Sequence, residues 1–277
     1  MEIREAFEAF LPRLGIPDVV FIPISALDGD NVVTPSPRLA WHGGPTLLGH
    51  LESVHIASDH NLDGFRLPVQ WVNRPQQPAD PRLHDFRGLS GQIAGGVVRV
   101  GQPVWVLPAG LRSTVCGIWT YDGWLEEAFC PQSVTLLLAD DVDASRGDMV
   151  VGADSLPGCC SEATARLCWL HPRPLAAGQR FLLKHTTATV QTRITSLENR
   201  IDIRTFDPAE QPDALGLNDI GEVRLQTSRP LVFDGFARNR LTGAFILIDP
   251  ATHATVAAGM LAAPIQPVSL QDGSYAI

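Results

Sequence analysis

Glycine and proline punctuate this chain so densely, 24 and 22 of them with no collagen-like period, that short strands joined by turns are favoured over long helices. The texture is clearest after Phe65. Arg66 to Asn73, Val98 to Leu107, Arg112 to Tyr121, Ser133 to Ala139 and Met149 to Val151 read as strands with Gly and Asp turns between them. Asp122-Gly123 reads as a two-residue hairpin turn, a place that wants φ above zero at both positions. A break at Ala153-Asp-Ser-Leu-Pro-Gly158 precedes a second strand-rich stretch: Ala163 to Leu170, Arg180 to His185, Ala188 to Thr195, Gly221 to Gln226 and Ala244 to Ile248. Short strands at regular spacing predict closed antiparallel barrels.

The first sixty or so residues have a different texture. Ile3, Phe7, Phe10, Leu11 and Leu14 recur at helical spacing, and Gly15 with Pro17 is expected to end that helix. Asp18-Val-Val-Phe-Ile-Pro-Ile24 is apolar and β-branched, which predicts a strand buried in a parallel sheet. A second helix is expected after Pro45, with Leu47, Leu48 and Leu51 on one side. The expected fold is mainly β: the remnant of an α/β domain at 1–60, barrels at 61–155 and 160–263, and a loose tail at 264–277.

Charge and cysteine usage narrow the function classes. A formal charge of −9, with scattered arginines and no basic stripe, disfavours a nucleic-acid grip. No apolar run approaches the length needed to cross a bilayer, and the N-terminus lacks the apolar core of a secretory signal. The five cysteines form no C-x-x-C pair, so reduced thiols and a cytoplasmic location are expected, without membrane or nucleic-acid partners.

Several suggestive clusters weaken on their spacing. His42, His50, His55 and His60 do not repeat at three or four, so no helix face presents a pair to a metal, and none is expected. Asp141, Asp143 and Ser145 imitate the opening of a calcium loop, but Arg146 and Gly152 stand where Gly and the bidentate Glu are required. Gly88-Leu-Ser-Gly91 is one residue short of a nucleophile elbow. Trp71, Trp105, Trp119, Trp124 and Trp169 fall mostly in strands, where burial in a barrel or between barrels is expected. No catalytic residue is assigned.

Ordered motifs carry a family resemblance. Gly91-Gln-Ile-Ala-Gly-Gly-Val-Val-Arg-Val-Gly-Gln102 resembles the first-barrel motif of the translation-factor GTPases, with Gly96 and Gly101 at turns. Trp41 with Gly44-Pro-Thr-Leu-Leu48, Pro68-Val-Gln-Trp-Val-Asn-Arg-Pro75, Asp85-Phe-Arg-Gly88, and Asn239-x-x-Thr-Gly243 before Phe245-Ile-Leu-Ile-Asp249 together resemble the large, GTP-binding subunits of bacterial sulfate adenylyltransferase. The likeness runs from about Phe7 to about Leu261. One departure is Gln76 to His84, a longer loop than the family leads one to expect.

The resemblance implies a heteromer. A small catalytic subunit transfers the adenylyl group of ATP to sulfate, and the large subunit hydrolyses GTP to drive the transfer. Ile22-Pro-Ile-Ser-Ala-Leu-Asp-Gly-Asp-Asn-Val-Val33 then corresponds to the last guanine-contacting loop of a G domain, with Ser25, Ala26 and Leu27 at its centre. A phosphate-binding P-loop needs a lysine, and this chain has one lysine, Lys184, followed by His185. The expectation is therefore a C-terminal portion whose guanine loop is vestigial, with no cofactor bound by this chain alone and GTP with Mg belonging to the complete subunit. Two alternatives stay open: a stand-alone two-barrel module that docks the small subunit, and a translation-factor-like fragment that binds tRNA.

Overall fold

The computed structural model describes residues 2–14, 19–54, 61–74, 86–205, 207–209 and 211–264. Gly15, Pro17 and Asp18, His55 and His60, the loop Gln76 to His84, Asp85 and the tail beyond Pro264 lie outside the described residues. The chain divides into two compact units, 1–59 and 60–277.

The first unit contains α1, Glu2–Leu14, and α2, Leu47–Ser53. Thr46 caps α2 by accepting from the Gly49 N–H at 3.1 Å. Phe7 of α1 meets Phe21 edge-to-face with ring centroids 5.7 Å apart. Of the strand expected before Ser25, the described residues 19–24 join no ladder, and a bridge nearby pairs Ser25 with Asp30. An apolar, β-branched run becomes a parallel strand only if a neighbour supplies hydrogen bonds. None among the described residues does, and Val20 and Ile24 are left about half exposed.

The second unit is two antiparallel barrels. The first uses β1 (Arg66–Pro68), β2 (Trp71–Asn73), β3 (Gly88–Gln92), β4 (Val97–Arg99), β5 (Pro103–Leu107), β6 (Leu111–Thr120), β7 (Gly123–Leu125), β8 (Glu127–Phe129), β9 (Ser133–Leu138) and β10 (Met149–Gly152). Its main sheet runs β1-β10-β5-β6-β9-β3-β2, with β7 on β6. The ring closes where the Arg66 N–H donates to the Gly95 carbonyl at 2.9 Å and the Ala94 N–H to the Arg66 carbonyl at 2.8 Å. Inside lie Val72, Leu89, Leu136, Ile118 and Leu125, residues placed directly opposite one another across five strands. The β6–β7 hairpin turns one residue earlier than expected: Thr120 pairs with Gly123, leaving Tyr121-Asp122 as the turn, and only Gly123 takes a positive φ, +123°.

The second barrel uses β11 (Gly158–Trp169), β12 (Leu175–Ala176), β13 (Arg180–His185), β14 (Ala188–Ile201), β15 (Pro208–Ala209), β16 (Ala214–Leu215), β17 (Ile220–Phe233), a one-turn helix α3 (Arg240–Gly243), β18 (Ala244–Ile248) and β19 (Thr255–Leu261). Its order β13-β18-β19-β11-β17-β14 closes through β13–β14. Leu167, Leu183, Ile194, Val223, Leu225 and Leu247 fill it. Tryptophan placement is mixed. Trp169 is core, and Trp105 packs on a small apolar cluster with Leu107, Met149, Val151 and, from the second barrel, Val232. Trp71, contrary to expectation, is 67% exposed, because its register puts it on the outer face of the sheet.

Candidate functional site

Two sets of polar residues stand out, one in each unit. The first is the loop containing Ser25, Ala26 and Leu27. The Gly29 N–H donates to the Ser25 carbonyl at 2.8 Å, and Gly29 takes a φ of +76°, which gives a tight turn that a side chain would strain. The Ser25 hydroxyl accepts from the Asp28 N–H at 3.3 Å. Below the turn, the Asp30 carboxylate accepts from the Ser36 hydroxyl at 2.6 Å and faces the Arg38 guanidinium at 2.5 Å. The Ser36 hydrogen bond and the Arg38 charge hold Asp30 below the usual carboxylate range. Asn31, nearly buried, fastens both ends of the loop by donating to the Pro23 carbonyl and accepting from the Ser36 N–H. Among the described residues, the N–H groups of Ala26 and Leu27 make no intramolecular hydrogen bond. The Leu27 side chain is 96% exposed. The frame is rigid and the crest is open, so the backbone donors at Ala26 and Leu27 are available to an acceptor.

The second set is buried between the barrels and was not recognised as a unit from sequence. Arg66, on β1, is 1% exposed and makes a fork to Asp234 just past β17: its Nε donates to Oδ2 at 2.8 Å and its other terminal nitrogen to Oδ1 at 2.9 Å. The guanidinium also donates to the Phe65 and Ser155 carbonyls, so the charge is both paired and hydrogen-bonded. Burial alone would raise the Asp234 carboxyl, but the hydrogen bonds and charge of Arg66, with help from Thr242 and Arg238, hold it below the ordinary range.

The motif Asn239-x-x-Thr-Gly243 acquires a physical meaning here. Asn239 caps α3 by accepting from the Leu241 and Thr242 N–H groups, and its amide donates to the Ala94 carbonyl of the first barrel at 2.9 Å. The Thr242 hydroxyl donates to Asp234 at 2.9 Å. A Cβ on Gly243 would lie 2.3 Å from the Phe236 Cα, so no side chain fits there. Only the motif's outline was legible in advance. Its partners Arg66 and Asp234 left one faint signal, a basic residue opening an apolar strand.

His185, at the end of β13, completes the set. Its Nε2 lies 2.7 Å from the Thr242 carbonyl, which can only accept, so that nitrogen carries the proton. Burial pushes this imidazole below its ordinary pKa, and neutral His185 is the state the junction holds. The unfolded chain then takes up a proton below about pH 6.5 while the folded one resists it, so stability falls as pH falls through that window. Urea midpoints measured at pH 7.5 and 5.5 should drop more for the parent protein than for His185→Gln.

The other clusters do not assemble a site. Among the described residues no three His, Cys, Asp or Glu side chains converge as metal ligands. Asp141 and Asp143 face the Arg87 guanidinium instead of each other. Burial raises the Cys159 thiol to about 11, and neighbouring Cys160 adds to this, so it is no activated nucleophile. Among the described residues no helix is long and apolar enough to cross a membrane.

Residues 162–262 match the family described as GTP-eEF1A C-terminal domain-like. The chain is 46% identical over 260 residues to a bifunctional enzyme CysN/CysC of Rhodopirellula baltica, covering 94% of this chain and 39% of that protein. It is 45% identical to sulfate adenylyltransferase subunit 1 of Bacteroides fragilis over 94% of this chain and 53% of that one, and 43% identical to the same subunit of Teredinibacter turnerae over 99% and 57%. The chain thus spans about two fifths to just over half the length of these relatives. Among solved structures, sup35 complexed with GMPPNP superposes with a TM-score of 0.67 at 21% identity, over 88% of this chain and 58% of that one, a likeness of fold.

Proposed function

We propose that this chain, a homologue of sulfate adenylyltransferase subunit 1 over 94 to 99% of its length, supplies the two-barrel body of a GTPase subunit in sulfate assimilation. In that role it docks a small catalytic subunit, which makes adenosine 5′-phosphosulfate and pyrophosphate from ATP and sulfate. GTP hydrolysis in the complete subunit drives the transfer. The homology carries this reading, and the Arg66 junction supports it. A coupling device has to pass a difference between nucleotide states to a partner, and rigid-body motion does so only if the body does not flex internally. The fork from Arg66 to Asp234, the Asn239 amide on Ala94 and the apolar cluster around Met149 make the two barrels one body.

The Ser25 to Leu27 crest takes the role of a guanine contact when the rest of a nucleotide site is present, through the free N–H groups at Ala26 and Leu27. The one lysine of this chain, Lys184, lies in β13 and is followed by His185, so it belongs to no P-loop sequence. The purified 277-residue protein is therefore expected to hydrolyse GTP no faster than buffer, as measured by phosphate release. Turnover that survives repurification would overturn this division of labour.

A further inference from the structure

The outer face of the first barrel carries a groove that neither the junction nor the guanine loop uses. Register alone sets it out. Trp71 of β2 lies opposite Ser90 of β3, Ser90 opposite Thr135 of β9, Thr135 opposite Trp119 of β6, and Trp119 opposite Trp124 of β7. Side chains in such a row share one face, and the neighbouring row, Val72 to Leu125, faces the core. The result is an open groove of about 590 Å³ with tryptophans as walls and a hydroxyl pair as floor. Ser90 and Thr135 hydrogen-bond to each other at 2.8 Å. Tyr121 is 99% exposed at the lip, and Trp71 67%. At the rim Arg146 donates to the Gln70 carbonyl at 3.0 Å and, among the described residues, meets no carboxylate. Arg146 is the one charged residue among those that line the groove, so the groove offers a cation with no carboxylate beside it.

We infer that this groove binds an extended, acidic peptide segment, its apolar or proline side chains against Trp71 and Trp119 and a carboxylate on Arg146. Three features select that occupant. The Trp71 and Trp119 backbones stand three strand spacings apart, about 14 Å, too far to clamp one flat ring between them but wide enough for an extended chain. The floor is hydroxyl, not apolar. An extended chain leaves its N–H and C=O groups free to use Ser90 and Thr135, whereas an amphipathic helix would press an apolar face on them. The cation stands singly, where a nucleic-acid strand would want a series of them along its phosphates. The inference stands on the barrel alone and does not depend on the partner proposed above.

The test is a titration of the 277-residue protein with acetyl-Ala-Pro-Leu-Pro-Glu-Asp-Ala-amide, labelled for fluorescence anisotropy, beside the same peptide with Gln and Asn for its acids. Saturable binding of the acidic peptide is expected, weakened by salt and about tenfold by Trp71→Ala, an exposed residue whose truncation spares the core. Arg146→Gln should remove the preference for the acidic peptide while leaving the neutral one unchanged. Absence of saturation, equal binding of both peptides by the parent protein, or displacement of the peptide by a short oligonucleotide overturns the inference. So does sedimentation showing that a second copy of this chain occupies the groove.

Discussion

Replacing Arg66 with alanine is expected to destabilise the second unit by about 3 to 5 kcal/mol, the usual consequence of leaving one member of a buried ion pair without its partner. Asp234 would remain 3% exposed beside Thr242, with its fork gone and the Phe65 and Ser155 carbonyls also losing a donor. The loss should fall on the joint between barrels more than on either core. Chymotrypsin or urea should then separate two transitions where the parent protein shows one. The decisive comparison is the double replacement Arg66→Met with Asp234→Leu. Taking away both charges removes the desolvation cost along with the attraction, so its stability should return most of the way to the parent value. If the single and double replacements are equally damaging, shape and not charge holds the joint.

The second large effect concerns Gly96. It takes a φ of +75°, and a Cβ there would lie 2.4 Å from the Phe65 nitrogen and 2.5 Å from its Cα, backbone atoms that cannot swing aside. Strained backbone and overpacking together put the cost of Gly96→Ala at about 3 kcal/mol. Gly101, in the same glycine-rich motif, takes a φ of +86° but faces open space, so Gly101→Ala should cost only the backbone share, about 1 kcal/mol. Urea unfolding of the pair separates the two contributions. Equal losses would mean that the approach of Phe65 to Gly96 does not exist.

These two sites show what was readable in the sequence. The strands Arg180–His185 and Ala244–Ile248 have the bounds that their alternation implied. The mainly β class and paired barrels followed from such runs and from turn residues. The long strands were legible only in part. Bulges between Cys160 and Glu162, and at Ile194/Ser196 and Leu197/Asn199, shift the alternation mid-strand, so β11 and β14 each extend well beyond the segment their pattern marked. Gly88–Gln92 was legible as barrel backbone by motif but not by strand alternation, because its composition answers to packing: a Cβ on Gly88 would lie 2.2 Å from the Thr135 methyl, and one on Gly91 2.3 Å from the Pro68 carbonyl oxygen. The segment before Ser25 failed for the opposite reason, since it has strand composition and, among the described residues, no strand beside it. The Ser25 to Leu27 loop stood out by motif alone, and its open crest at Ala26 and Leu27 is a matter of backbone hydrogen bonds that no local pattern records. Least visible was the junction, because Arg66 and Asp234 are 168 residues apart and neither local pattern refers to the other.

We propose that the two barrels dock the small catalytic subunit of sulfate adenylyltransferase. Sedimentation velocity of the 277-residue protein mixed with purified small subunit tests it most directly, in buffer without nucleotide. A faster-sedimenting complex containing both chains is expected, unchanged by GTP and lost when Arg66→Ala loosens the barrels. Two independent boundaries at concentrations where the parent protein is folded would contradict it.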